Sequence, residues 1–273
     1  MTAGAVTQYV GAALAVELFG RLGSPAVAWL RLSWSALALL AWRRPRWRAT
    51  TRRQRIDLAC FGAALGLMNL SFYLAIARLP LGTAVAIEFS GPISVAALGS
   101  RRPRDLVAVA LAGSGVVLLA DVEWAGNAAG VGFALASAVM WAGYIVWGRR
   151  VSATGASAGL DGLARSTAFA AMVVAPVGLT GLAGHGPLDG AFALAVLACA
   201  AVALCSNVVP YALDQVVLAR VPAARFALLS TLLPVTAALV GAVALGQRPS
   251  TTEAVGVAAV VAALAVRGNG ASG

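Results

Sequence analysis

Glu88 stands inside an apolar run and is followed at once by Phe89, Ser90, Gly91 and Pro92. A carboxyl group in such a stretch has three uses: to carry a proton, to pair with a cation, or to lock onto a neighbouring helix by a hydrogen bond. The sequence leaves the functional and the packing uses open. Proline has no amide proton for the carbonyl four residues earlier, so Pro92 frees the backbone oxygen of Glu88 itself. Acid and carbonyl then lie together ~10 Å into the run, at 1.5 Å per helical residue. In hydrocarbon that pairing persists only beside a wet cavity or another polar group.

Arg31 is the matching positive candidate in another apolar run. Its guanidinium is permanently charged and forked, which suits a carboxylate ligand. Pairing with Glu17 is the equal alternative. Arg165 and Asp214 lie nearer the ends of their runs. Snorkelling, or pairing of Asp214 with Arg220 or Arg225, is the expectation for them.

Other polar and aromatic residues within the apolar runs could line a cavity: Asn69, Tyr73, Trp141, Tyr144, Asn207, Tyr211 and Ser230, with Gln8, Ser71 and Thr231. Asn69 with Tyr73, and Asn207 with Tyr211, are four residues apart and so share a helix face. Each of these groups could equally be interhelical glue. Trp124 and Trp147 sit where interfacial belt anchors belong.

The elements that must hold these groups follow from composition. The chain has 273 residues, 60% of them hydrophobic and 11% charged, with mean hydropathy +0.87. Soluble domains carry about a quarter charged residues. Apolar runs of spanning length fall at about 3–20, 24–42, 56–77, 81–100, 105–120, 128–147, 160–182, 190–214, 221–245 and 251–267. Backbone amides in lipid must be satisfied within their own segment, so these runs are helices. The expected fold is an all-α membrane protein of ten transmembrane helices in one compact bundle.

All 20 basic residues are arginine. They gather in the breaks after the second run (Arg43 to Arg55), the fourth (Arg101, Arg102, Arg104) and the sixth (Arg149, Arg150), while the fifth break carries Asp121 and Glu123. The positive-inside rule makes the even breaks cytoplasmic, and with ten spans both termini are cytoplasmic too. This distribution, with no aromatic-interleaved basic face, argues against nucleic-acid binding. Without lysine there is no Walker A loop, and no HExxH, GxSxG or paired intramembrane aspartates occur, so no enzyme, catalytic residue or cofactor is expected. Cys60, Cys199 and Cys205 lie singly in apolar runs and His185 lies in a Gly/Pro-rich break, so no metal site is expected either. No cleavable signal peptide is visible at the amino terminus.

Residues 77–99 align with 219–241, matching Ala77, Arg78, Pro80, Pro92, Ala96 and Gly99 with Ala219, Arg220, Pro222, Pro234, Ala238 and Gly241. Pro234 accordingly frees the carbonyl of Ser230, as Pro92 frees that of Glu88. The Asn/Tyr pairs do not superpose one-to-one at this offset. The match predicts two five-helix repeats, 1–125 and 126–273. An odd number of spans per repeat forces the copies into opposite orientations. Secondary transporters of this build bind at the repeat interface near the bilayer midplane and work by alternating access.

The whole chain resembles the EamA-like transporters of the drug/metabolite transporter superfamily, closest to the threonine/homoserine exporter branch. The resemblance rests on Glu88-Phe89-Ser90-Gly91-Pro92, on Ser100-Arg101-Arg102-Pro103-Arg104-Asp105, on Phe72 to Ala77, and on Ala84-Val85-Ala86-Ile87 leading into the glutamate. It implies efflux of amino acids or related metabolites across the inner membrane, commonly driven by the proton gradient. Glu88 would exchange the proton, and a zwitterionic small molecule would be the substrate. Efflux of hydrophobic drugs by the same fold is the alternative; monomer and dimer both remain open. Two features depart from the family pattern. The first span looks short, and Gly246-Gln247-Arg248 stands where many relatives carry an acid after the glycine.

Overall fold

The fold is described from a computed structural model, over residues 2–45, 51–98, 103–153, 156–183, 189–220, 233–247 and 250–268. The helices are α1 (Thr2–Leu22), α2 (Ser24–Arg43), α3 (Arg52–Ile76), α4 (Leu81–Glu88), α5 (Ser90–Leu98), α6 (Pro103–Val151), α7 (Ala156–Ala183), α8 (Gly190–Ala203), α9 (Val209–Arg220), α10 (Leu233–Ala244) and α11 (Thr251–Gly268). A π-helical turn, Leu204–Val208, joins α8 to α9. Among the described residues, five helices are long and apolar enough to cross a membrane: Ser24–Arg43, Arg52–Ile76, Gly126–Val151, Ser157–Ala183 and Gly190–Arg220. The amino-terminal run is a helix of 21 residues and is not among those five.

Local chemistry sets the breaks. Gly23 takes φ 72° between α1 and α2, a left-handed turn open to a residue without Cβ, and a proline follows in the first turn of α2. Thr51 and Gln54 cap α3 reciprocally, and the Asp189 carboxylate accepts from the amide of Phe192 at 2.7 Å to start α8. α6 is two helices meeting at Asn127, whose φ −154° and ψ 65° are not helical. The Asn127 side chain closes that corner by accepting from Gly130 N and donating to Arg78 O, both at 3.1 Å.

Two sets of breaks gather at opposite ends. Arg43 at the end of α2 pairs with Asp161 of α7 at 2.9 Å, and Arg150 pairs with Asp57 of α3 at 3.7 Å. The breaks after the second and sixth runs therefore lie together. At the other end, Asn127 reaches Arg78, and the Gln247 side-chain oxygen accepts from Leu81 N at 3.0 Å, capping α4. The breaks around 78, 127 and 247 form that second set.

The bundle is apolar outside and carries a set of polar groups within a largely apolar interior. Leu98, Val117, Met172, Leu194, Leu239 and Val243 are exposed, while Arg31, Asn69, Glu88, Ser137, Asn207 and Gln215 are buried. Lipid offers no hydrophobic gain for helix association, so close backbone approach must supply much of it. α3 uses Gly62 and Gly66 this way: an added Cβ would meet Ser166 O at 2.5 Å and Ala170 O at 3.0 Å on α7. α2 packs on α7 and α8, α3 on α6 and α7, α4 on α6 and α10, and α1 on α8 to α10.

Candidate functional site

The polar interior begins on α2, where Arg31 and Ser35 share a face one turn apart. Arg31 is 3% exposed. Its Nη2 donates to Ser206 O at 2.8 Å and to Asn207 Oδ1 at 3.3 Å. Asn207 Nδ2 in turn donates to Ser35 Oγ at 2.7 Å. The π-helical turn makes this meeting happen. Pro210 has no amide for the carbonyl four residues back, that of Ser206, and Arg31 serves it instead. The guanidinium carbon also lies 4.9 Å from the centroid of the Tyr73 ring. Arg31 makes these contacts and no recorded one with Glu17, which is exposed on α1. Three buried donor atoms, Arg31 Nε, the Tyr73 hydroxyl and Arg165 Nε, have no hydrogen-bond partner of good geometry among the described residues, although Arg31 and the Tyr73 hydroxyl lie close enough to interact with each other.

Glu88 closes α4, and the helix is interrupted at Phe89 before resuming as α5. That break lies where Pro92 withholds its amide. The carboxyl group is buried, bonded to Ser137 Oγ on the second arm of α6, and within electrostatic reach of Arg31. Ser137 Oγ also lies 3.1 Å from Met68 O on α3. One turn along α6 from Ser137, Trp141 meets Phe89 edge-on at 4.9 Å between ring centroids. On α3, Asn69 Nδ2 donates to Leu65 O at 2.8 Å and makes a long contact of 3.4 Å with the Tyr211 hydroxyl.

Toward the arginine-rich end the interior is phenolic. Tyr144 and Tyr211 lie 5.4 Å apart ring to ring. The Tyr144 hydroxyl donates to Asp214 Oδ2 at 3.3 Å and accepts from Gln215 Nε2 at 3.4 Å. Tyr9 of α1 is within electrostatic reach of Glu88, Tyr211 and Asp214. All four tyrosines of the chain are therefore buried around one interior. The donor to Asp214 is Tyr144, and no Asp214–Arg220 ion pair occurs; Arg225 lies outside the described residues.

Glu88, Arg31, Asn69, Tyr73, Trp141, Tyr144, Asn207 and Tyr211 thus all reach this interior, and Pro234 is buried in α10. Ser230, like Thr231, lies outside the described residues. Sequence reasoning missed Tyr9, Ser35, Ser137, Ser206 and Gln215. For Ser137 a signal existed: Ser137, Trp141 and Tyr144 recur at helical spacing and so share one face.

The arrangement presents a fixed cation, an acid and a set of amide and phenol groups, the equipment to bind a small polar molecule inside a membrane bundle. Comparison with known proteins identifies the fold and the family. A crystal structure of a protein superposes with TM-score 0.65 over 97% of this chain and 93% of that one at 20% identity, a likeness of fold. The chain is 37% identical over 259 residues to the threonine/homoserine exporter RhtA of Salmonella typhimurium (strain SL1344), covering 93% of this chain and 84% of the relative. The threonine/homoserine exporter RhtA of Escherichia coli (strain K12) is equally similar, 37% over 258 residues with the same coverage. The family model of the EamA-like transporters matches residues 128–267. With a buried polar centre, an apolar exterior and these relatives, the chain belongs to the EamA-like transporter family.

Proposed function

We propose that this chain is a secondary exporter of amino acids or related small metabolites in the inner membrane. It exchanges substrate for protons through Glu88 by alternating access, with the arginine-rich breaks and both termini cytoplasmic. The observation that carries the reading is the placement of Arg31 and Glu88 in one interior, within electrostatic reach of each other, with Arg31 Nε and the Tyr73 hydroxyl lacking a hydrogen-bond partner of good geometry among the described residues. Buried donors without acceptors cost about 1–3 kcal/mol each, so they are kept where a ligand supplies the acceptor. A zwitterion does so: its carboxylate fits Arg31 and Tyr73, and its ammonium fits Glu88 once that group has given up its proton. The relatives named as threonine/homoserine exporters favour the same substrate class.

Two inverted five-helix repeats, 1–125 and 126–273, are the architecture this mechanism needs. Asn69 and Tyr211 support them. They stand 142 residues apart, the offset that aligns the two halves, and they touch. A residue in contact with its own repeat mate lies beside the axis relating the copies.

Purified protein in liposomes with an imposed pH gradient tests the proposal against a panel of radiolabelled amino acids. Wild type should move one or more of them down the gradient, and Glu88→Gln should lose the response to pH while still eluting as a folded species. Gradient-driven transport by Glu88→Gln at the wild-type rate would remove Glu88 from the mechanism. The aromatic walls formed by Phe89–Trp141 and Tyr144–Tyr211 favour a second reading, efflux of hydrophobic drugs. A resistance panel run beside the amino-acid assay separates the two.

A further inference from the structure

Counting protons around Ser137 leads to a role for it. Its hydroxyl oxygen has two oxygen neighbours, Glu88 Oε1 and Met68 O. A backbone carbonyl only accepts, and a hydroxyl has one proton to give. Both contacts are satisfied together when Ser137 donates to Met68 O and Glu88, as the neutral acid, donates to Ser137 Oγ. An ionised Glu88 only accepts. The Ser137 proton must then turn toward the carboxylate, in a charge-assisted bond, and Met68 O loses it.

We infer that Ser137 is a positioning residue which converts the protonation state of Glu88 into making or breaking a bond between α6 and α3. The inference rests on the reading of Glu88 as the proton carrier. The proton that leaves Glu88 passes to water; no covalent bond of Ser137 changes, only the direction of its O–H. The bond released is at Met68, immediately before Asn69, whose side chain spans the two halves to Tyr211. Loss of a proton at α4 is thereby felt at the point where α3 meets the opposite repeat. Among the described residues no other side-chain hydrogen bond links Glu88 to α3. Deprotonation also leaves a carboxylate within electrostatic reach of Arg31, ready to take the substrate's ammonium.

Infrared difference spectroscopy of the full chain in lipid, stepped between high and low pH, reads this directly. Wild type should show a carboxylic-acid C=O band that is absent in Glu88→Gln. Ser137→Ala should move that band toward the position of an acid without a hydrogen-bond acceptor, and Ser137→Thr should restore it. In liposomes, the ratio of gradient-driven efflux to counterflow at fixed pH should fall about fivefold in Ser137→Ala, which is ~1 kcal/mol of lost coupling. A purely structural serine would slow both rates together and leave the ratio unchanged. Should the alanine variant fail to elute as a folded species, Ser137→Cys, a weaker donor, should give the same displacement at smaller size. If the band disappears in Glu88→Gln but stays in place in the Ser137 variants, with the ratio unchanged, the role of Ser137 is overturned and that of Glu88 stands. If the band survives in Glu88→Gln, the proton-carrier reading falls and takes this inference with it.

Discussion

Replacing Arg31 by lysine keeps the charge and removes the fork, and the loss can be worked out bond by bond. Arg31 Nη2 serves Ser206 O at 2.8 Å and Asn207 Oδ1 at 3.3 Å, while the guanidinium plane covers the Tyr73 ring at 4.9 Å. A lysine ammonium is a compact point charge that can replace one of these contacts and not all of them. Hydrogen bonds to charged groups are worth about 1.5–3 kcal/mol each, and a desolvated cation–ring contact up to about 2 kcal/mol. The Asn207 contact is long and belongs at the low end, so ~2 kcal/mol is the expected net loss from the folded protein. For a chain of this size that corresponds to a thermal midpoint lower by roughly 4–8 °C. If Arg31 also holds the substrate carboxylate in a two-pronged grip, the single-pronged lysine should weaken equilibrium binding of the transported amino acid by about 30-fold, a further ~2 kcal/mol. Thermal unfolding followed by tryptophan fluorescence and binding by scintillation proximity measure the two effects separately. A lowered midpoint with unchanged affinity would make Arg31 a brace for the π-helical turn and nothing more. Wild-type values of both would refute the reasoning altogether, since the fork would then have no use.

Gly91→Ala should destabilise by about 1–3 kcal/mol, because its Cβ would overlap the backbone carbonyl of Ala138 on α6; the same change at Gly113, where nothing lies within 4 Å, should be neutral or gain up to ~1 kcal/mol. Parallel thermal melts compare them, and equal losses at both sites would contradict the packing of α5 on α6. In a variant lacking the native cysteines, Arg44→Cys and Ala153→Cys should react with a membrane-impermeant maleimide only from the cytoplasmic side, and Arg78→Cys only from outside. Labelling of Arg44→Cys and Arg78→Cys from one side would break the alternation on which the orientation rests.

Much of the fold was legible because lipid simplifies the problem. Hydrocarbon demands uninterrupted helices, so turn chemistry could mark the breaks, and Gly23-Ser24-Pro25 and Gly126-Asn127 both do so in the structure. Glu88 with Pro92 was legible for the same reason, since an acid and a proline together are costly in a membrane unless the helix breaks, and it breaks at Phe89. Ser137 was legible only as a residue on one face with Trp141 and Tyr144; its bond to Glu88 was not. Serine is small enough to be unremarked in an Ala/Gly/Ser-rich helix, and its significance lies in Glu88 and Met68, 49 and 69 residues away. The π-helical turn was hidden too. Pro210 predicts a freed carbonyl at Ser206, but only the three-dimensional approach of α2 shows that Arg31 takes it. For Asp214 the sequence suggested charge partners close by; Arg220 makes no ion pair with it and Arg225 lies outside the described residues, while Tyr144 on another helix donates to it.

The proposed axis through Asn69 and Tyr211 also bears on why the charges are unequally divided. At the 142-residue offset the mate of Glu88 is Ser230, and that of Asp214 is Phe72. Neither acid has an acidic counterpart, and the mate of Arg31 at that offset, Val173, is uncharged. In the proposed repeat Pro92 and Pro234 match, while the ionisable groups differ between the two halves. Electrostatics supplies a reason: two carboxylates kept at equivalent depths beside one axis would repel, and one would be driven to hold its proton permanently. Glu88 has no acidic mate and avoids that conflict, so it can pass between its two states within one cycle; Asp214 lies nearer the arginine-rich end, bonded to Tyr144. On the proposed mechanism the two halves would share the geometry of rocking while one of them carries the proton. On that argument the stoichiometry expected for Glu88 is a single proton per substrate, and a second acid introduced by Ser230→Glu should impair coupling instead of adding to it.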